Sequence, residues 1–267
     1  RPHPSGPPMT TSRPATPLST PGPAPARARV LAQARFELAT LLANGEQLLV
    51  SLVLPLGALV GLAVTTVPSL GDGRRIDLAV PGVLALCVIS AAFTAQAIAT
   101  GFDRRYAVLR LLGTTPLGRD GLLWGKACAT LGVEVLQWVV IGAVGVALGW
   151  RPVPIGLLYA VPFLLAGTWA FVSLALLLAG ALRAEGVLAL ANLLWVVFLV
   201  LGGVIVPRTV LPDALAGVVG ILPSAALADG LRAALSSGAF SIVALVLLLA
   251  WGAVASAIAS RTFRWSD

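Results

Sequence analysis

Six long apolar runs, near residues 48–69, 78–101, 122–149, 154–181, 187–206 and 239–260, occupy most of the chain. Each approaches or exceeds the roughly 20 residues that an α-helix needs to cross the hydrocarbon of a bilayer. They predict an all-α membrane protein with six transmembrane helices. The third and fourth runs are longer than a crossing requires, so they are expected to tilt or to project beyond the hydrocarbon. Pro55, Pro81 and Pro162 fall within or near the runs, where neighbouring helices can pair the carbonyls that a proline frees. Composition agrees: of 267 residues, 58% are hydrophobic and 11% charged, against about 25% charged in a soluble domain.

The net charge of +7 raises the question of nucleic-acid binding. The basic residues lie at the ends of apolar runs rather than on one continuous face, so no nucleic-acid partner is expected. With the N-terminus inside, Arg74, Arg75, Arg151, Arg208 and Arg232 fall in external segments, and the other 13 of the 18 Lys and Arg residues fall in cytoplasmic ones. That excess predicts a multi-pass protein of the cell membrane with both termini in the cytoplasm. Cys87 and Cys128 sit in or at the edge of spans, so no disulfide framework is expected. The single histidine is His3. Haem held by paired histidines, His-ligated zinc, and Ser-His or Cys-His catalysis therefore have no residues to use. No catalytic residue, metal site or cofactor is assigned to the chain.

Residues 1–26 are rich in Pro, Ser, Thr and Gly and are expected to form a disordered tail. The first eight precede Met9, the only methionine, and read as an appended or upstream extension. Residues 26–44 have helical periodicity, with Leu31, Ala34, Leu38, Leu41 and Leu42 on one stripe and Arg29, Gln33, Glu37, Thr40 and Asn44 on the other. They predict an amphipathic helix in the membrane interface, or else a cytosolic extension of the first span. Farther on, residues 207–237 are apolar but broken by Pro207, Pro212 and Pro223. Within them, residues 215–222 are too short to span and are expected to be re-entrant or interfacial.

Between the second and third runs lies a basic amphipathic segment, residues 103–117. Val108, Leu109, Leu111 and Leu112 stand amid Arg104, Arg105 and Arg110, and Gly113 and Pro116 mark a stop. A helix here can seat its apolar side in a groove on a cytosolic partner, or anchor to anionic lipid through its arginines.

Two sets of residues carry a resemblance to a known family. Asp103-Arg104-Arg105-Tyr106, Leu109, Leu112-Gly113-Thr114-Thr115-Pro116-Leu117, Leu122-Leu123 and Gly125-Lys126 resemble the cytoplasmic loop of ABC-2 type transporter permeases. The likeness is to the actinobacterial branch of daunorubicin-type antibiotic exporters. Gly202-Gly203-Val204-Ile205-Val206-Pro207, Leu211-Pro212, Leu222-Pro223 and Asp229-Gly230-Leu231-Arg232 resemble that family's last external loop. The resemblance runs over about residues 27–265. It implies one transmembrane domain, residues 27–267, acting as the permease subunit of an ATP-driven exporter of amphipathic drug-like or lipid-like substrates.

The resemblance further implies a coupling helix seated on a cytosolic ABC ATPase, with Arg104, Arg105, Val108, Leu109, Leu112, Thr115 and Pro116 in the coupling region. Two ATPase subunits would bind the ATP and Mg²⁺, and a second six-span half, identical or homologous, would complete the path. Many relatives carry Glu and Gly where this chain has Tyr106-Ala107, so contacts there are expected to differ. The chain has no ATPase site of its own. The nearest approach to G-x-x-x-x-G-K-[ST] is Asp120-Gly-Leu-Leu-Trp-Gly-Lys-Ala127, which lacks the first glycine and the final hydroxyl. Gly125-Lys126 is accordingly read as an interfacial anchor.

Glu134 is the one acid deep within a span, about 18 Å into the third helix counted from Leu122 at about 1.5 Å per residue. Gln137 shares its face, and Gln96 and Asn192 are placed to reach it from other helices. With Trp138 and Trp195, these residues make up the candidate substrate pathway. Glu134 reads either as a contact for cationic substrate groups or a proton, or as a protonated carboxyl hydrogen-bonded between helices. Trp138, Trp169, Trp195 and Phe198 suit a greasy pathway or ordinary packing, while Trp150, Trp251 and Trp265 suit interfacial belts. The spacing of Gly142, Gly145 and Gly149 suits close helix packing. Two rival functions stand beside export. An ion-coupled secondary transporter needs more intramembrane ionisable groups than Glu134 alone. An intramembrane enzyme needs a metal motif that the scattered aspartates do not form.

Overall fold

The computed structural model describes residues 24–43, 45–71, 73–108 and 118–263. Regular structure among the described residues is helical throughout. Helix α1 (Ala26–Ala43) leads into α2 (Gly45–Val64). Next, α3 (Arg75–Val88) continues through a wide π-helical turn, Ile89–Ala95, into α4 (Gln96–Arg105). After these come α5 (Gly118–Ala147), α6 (Pro154–Ala181) and α7 (Ala184–Val200), then a 3₁₀ turn at Arg208–Val210, α8 (Asp213–Val219), α9 (Pro223–Ser237) and α10 (Ile242–Thr262). Most of the predicted tail and the centre of the predicted coupling segment, with Leu109, Leu112, Thr115 and Pro116, lie outside the described residues.

Among the described residues, four helices are long and apolar enough to cross a bilayer: Arg75–Arg105, Trp124–Ala147, Pro154–Ala181 and Ile242–Thr262. Helices α8 and α9 meet at 99° and add a fifth if the bent pair counts as one crossing. The expected fifth span comes out as a shorter apolar helix, Ala184–Val200, and the expected first span as α2, which ends at Val64 rather than at 69, so the described residues carry four or five full-length crossings and not six. Local breaks explain the difference. Beyond Val64 the chain meets Pro68, Gly71 and Gly73, with both glycines at positive φ. Beyond Val200 it meets Gly202 and Gly203, and Gly203 takes φ 70°, a conformation in which a Cβ is strained. A hydropathy average passes over such stops.

Helix α6 is the hub, packing against α10, α9, α4 and the 89–95 turn. Phe93, Phe171 and Phe198, from three different helices, meet edge to face with centroids 5.5 to 6.2 Å apart, the geometry that the ring quadrupoles favour. Helix α9 is the element the sequence reading missed. It lies inside the stretch expected to be loop, yet Ser224, Ala225, Leu227, Ala228, Leu231 and Ala234 are all fully buried. It starts with proline at its first turn and ends at Gly238 in the left-handed region, the usual asymmetry of helix termini. Its small residues allow backbone approach: a Cβ on Gly156 of α6 would fall 2.0 Å from the Ala234 carbonyl. Trp150, expected in an interfacial belt, is instead 5% exposed and folds over Gly145.

The amphipathic reading of α1 also changes. Its buried or half-buried face holds Gln33, Ala34, Glu37 and Leu38, while Leu31, Phe36 and Leu42 are exposed. Helix α1 lies along α5, where Gly125 admits Gln33 and Gly132 admits Leu38. Polar residues face inward because a buried lysine on α5 pairs with Glu37.

Charge separates along the bundle. Arg75 and Asp77 stand in the first turn of the 31-residue helix that ends in Asp103, Arg104 and Arg105, and Arg74 caps its start. At the first end, the Arg232 guanidinium is buried and donates to the carbonyls of Gly203 (2.6 Å) and Val204 (2.5 Å). Asp229 pairs with Arg208 at 2.5 Å and stands 3.9 Å from Arg232. Gly82 must lack a Cβ here, because one would sit 2.4 Å from the Val204 carbonyl.

Candidate functional site

The other end of the bundle is organised by three consecutive side chains at the close of α4. The Asp103 carboxylate accepts from the Lys126 ammonium at 2.7 Å, joining α4 to α5. Arg104 is 5% exposed and donates to the carbonyls of Ala179 (2.6 Å) and Leu182. These carbonyls belong to the C-terminal end of α6, where the helix has no intrahelical donors left and the dipole favours a cation. Arg105 pairs with Glu185 in the first turn of α7. One short stretch thus clasps three other helices.

Immediately after it the chain turns outward. Tyr106 is 68% exposed and Val108 37% exposed, Ala107 has φ 59°, and the Tyr106 ring stacks on Phe102. Of the residues expected in the coupling region, Arg105 and Val108 are exposed at this point. Arg104 is turned into the bundle because the α6 carbonyls claim its guanidinium. Lys126, read as an interfacial anchor, is 6% exposed and held between Asp103 and Glu37, the latter at 3.2 Å. Desolvation of a lysine is costly unless it is paired, and two carboxylates meet that need.

Next to this cluster lies a cavity of about 140 Å³ between α1, α2, α5 and the helix running through the 89–95 turn. Its polar lining comes from Glu37, Ser51, Ser90, Gln96, Lys126, Thr130 and Gln137, and much of the remainder is alanine. The wide turn shapes this wall, as π-helical turns often do at functional sites, bringing Ser90, Ala91 and Ala95 to the cavity with Gln96 and Ala99. Thr130 donates to Gln96 Oε1 at 3.1 Å, and Gln96 Nε2 donates to Thr100 at 3.1 Å. Gln137 donates to the Ser51 carbonyl at 3.0 Å, while its Oε1 has no partner.

The opposite side of α5 faces a second, apolar cavity of about 540 Å³ shared with α6 and α10, with Trp124, Cys128, Trp169 and Leu249 in its wall. Glu134, fully buried, lines neither cavity. It accepts at 2.5 Å from the hydroxyl of Thr168 on α6, and its Oε1 has no partner.

The six residues expected to form a pathway are thus divided. Gln96 and Gln137 line the polar cavity. Trp195 reaches it indirectly, donating to Ser90 at 2.9 Å. Trp138 is half-buried with an unpaired Nε1. Asn192 does not reach Glu134: it is exposed and donates to Leu188 one turn back. Glu134 has Thr168 in place of the partners expected for it. Thr168 was legible as a hydroxyl midway along the fourth apolar run, between Tyr159 and Ser173, and Thr130 as a polar residue one turn before Glu134. Glu37, Ser51 and Ser90 gave no such signal.

No curated protein matches the chain. Residues 30–236, well over half of its length, match the family described as ABC-2 type transporter. The chain therefore belongs to the ABC-2 type transporter family, as a multi-pass membrane component of an ABC transporter that associates with an ABC ATPase.

Proposed function

We propose that the chain is one six-span half of an ATP-driven exporter, with residues 27–267 as its transmembrane domain. Both termini and the 103–117 loop face the cytoplasm, and the path forms with a second half, identical or homologous. Two cytosolic ATPase subunits, holding the ATP and Mg²⁺, engage the loop through Arg105, Val108, Leu109, Leu112, Thr115 and Pro116, while Arg104 anchors the root. The observation that carries this reading is the clasp at Asp103, Arg104 and Arg105, which joins the base of the loop to α5, α6 and α7. A push on the loop is then delivered to several spans together, and a two-state transporter needs such a bistable unit rather than one yielding helix. The export direction rests on the resemblance to antibiotic exporters, and the amphipathic substrate class on the pairing of a polar with a larger apolar cavity either side of α5.

In this reading Gln96 and Gln137 contact substrate, and Trp195 and Trp138 stand behind them. Glu134 holds α5 to α6. The test is association with the cognate ATPase. Replacing Arg105 and Val108 by Glu and Asp together should reduce ATPase co-purification at least tenfold while leaving the monodispersity of the chain unchanged. Full co-purification of that double variant contradicts the docking role.

A further inference from the structure

We infer that the outward face of α7 is the seam between this chain and a second, identical copy, with the Asn192 amides of the two copies paired at mid-membrane. This rests on the two-half reading and adds to it the surface and the identity of the partner. Asn192 is the ninth of 17 residues in Ala184–Val200, so about 12 Å of apolar helix lies on either side of it. It is nevertheless exposed. Among the described residues, no other amide or charged side chain is exposed in the middle of an apolar helix, and Gln96, Glu134 and Gln137 are all buried. The Asn192 Nδ2 donates to the Leu188 carbonyl at 2.8 Å, which spends one of its two hydrogens. The second hydrogen and the Oδ1 acceptor are left over. Hydrocarbon cannot pair them, and polar side chains within spans turn to protein rather than to lipid.

A two-fold axis along the membrane normal supplies the partner. In such an interface a residue close to the axis faces its own copy. An amide carries both a donor and an acceptor, so two copies of Asn192 satisfy each other reciprocally, whereas a lipid tail satisfies neither group. The rest of the face suits a close contact. Ala189 and Val196, one turn to either side of Asn192, are exposed with it, as is Gly186. Alanine at 189 and glycine at 186 let two backbones approach, the small-residue pattern of paired membrane helices. Glu185, in the first turn of the same helix, holds Arg105, so the root of the loop is tied directly to the seam.

The test uses the full chain with its ATPase, in native membranes and freed of Cys87 and Cys128. Single cysteines replace Ala189, Val196, Val139 or Val254, and copper phenanthroline oxidises them. Val139 on α5 and Val254 on α10 are exposed controls on other helices. Disulfide-linked dimers should form at least tenfold faster through Ala189→Cys and Val196→Cys than through the controls. Asn192→Leu, at an exposed position, should slow this cross-linking at least fivefold, and Asn192→Gln, which keeps the amide, should recover most of the rate. Equal rates at all four positions, cross-linking unaltered by Asn192→Leu, or equal loss in Asn192→Leu and Asn192→Gln overturns the inference. Native mass spectrometry of the complex separates this from the reading beneath it, with two copies of the chain expected. Two copies linked through Val139 or Val254, or one copy beside a different permease chain, sinks the α7 seam alone. A lone permease chain bound to the ATPase sinks the two-half transporter.

Discussion

At the residue scale, the glycines and charged residues of the 202–232 region have distinct physical duties. Gly203 supplies a left-handed turn, Gly82 yields space to the Val204 carbonyl, and the Arg232 guanidinium fills that carbonyl and its neighbour. Arg232→Ala should therefore cost about 3 kcal/mol, because it leaves two buried carbonyls short of charged donors. Arg232→Lys should restore part of this. Denaturation in mixed micelles measures both, and an unshifted midpoint for the alanine variant contradicts the account. Gly202-Gly203 and Asp229-Gly230-Leu231-Arg232 were visible in the sequence as a motif, but their joining across the fold was not, since nothing in residue order brings Arg232 to Val204. Glu134 teaches a related lesson. Its burial was legible from its depth in the run, whereas its partner depended on helix rotation. Thr168→Val should cost about 1 to 2 kcal/mol by leaving the carboxyl unpaired, and Glu134→Gln, which keeps an acceptor for Thr168, should stay within about 1 kcal/mol of the parent.

At the element scale, hydropathy located the long helices and missed what small residues do. α9 was hidden because Ala, Gly and Ser lower the apparent apolarity of a segment that is nonetheless buried on nearly every side. α8, by contrast, is mostly exposed. In hydrogen exchange on the detergent-purified chain, amides of Pro223–Ser237 should be protected well beyond those of Asp213–Val219, as burial and packing dictate. Comparable rates in the two helices contradict the arrangement. The orientation of α1 was misjudged for an electrostatic reason: Lys126 lies inside an apolar run, so a polar face had to turn toward it. Lys126→Ala should leave Glu37 and Asp103 without their shared cation and speed exchange throughout Ala26–Ala43, with little effect on Ile242–Thr262, which does not touch this cluster. Unchanged exchange in α1 contradicts the pairing.

At the scale of the whole molecule, the family was legible in two short motifs, and the segregation of charge to opposite ends of the bundle was legible in the arginine count. The polar cavity was not, because it is assembled from four helices and a π-helical turn whose register no periodicity announces. What unites these features is a loop root clasped to three helices at one end of the bundle and an arginine-locked turn at the other. The central claim is that the root faces the cytoplasm, where a nucleotide-driven partner can reach it. In a chain freed of Cys87 and Cys128, single cysteines at Tyr106 and at Val67, both strongly exposed, test it with a membrane-impermeant maleimide. The account predicts that Val67→Cys is labelled in intact cells and Tyr106→Cys only after permeabilisation; labelling of Tyr106→Cys in intact cells contradicts it.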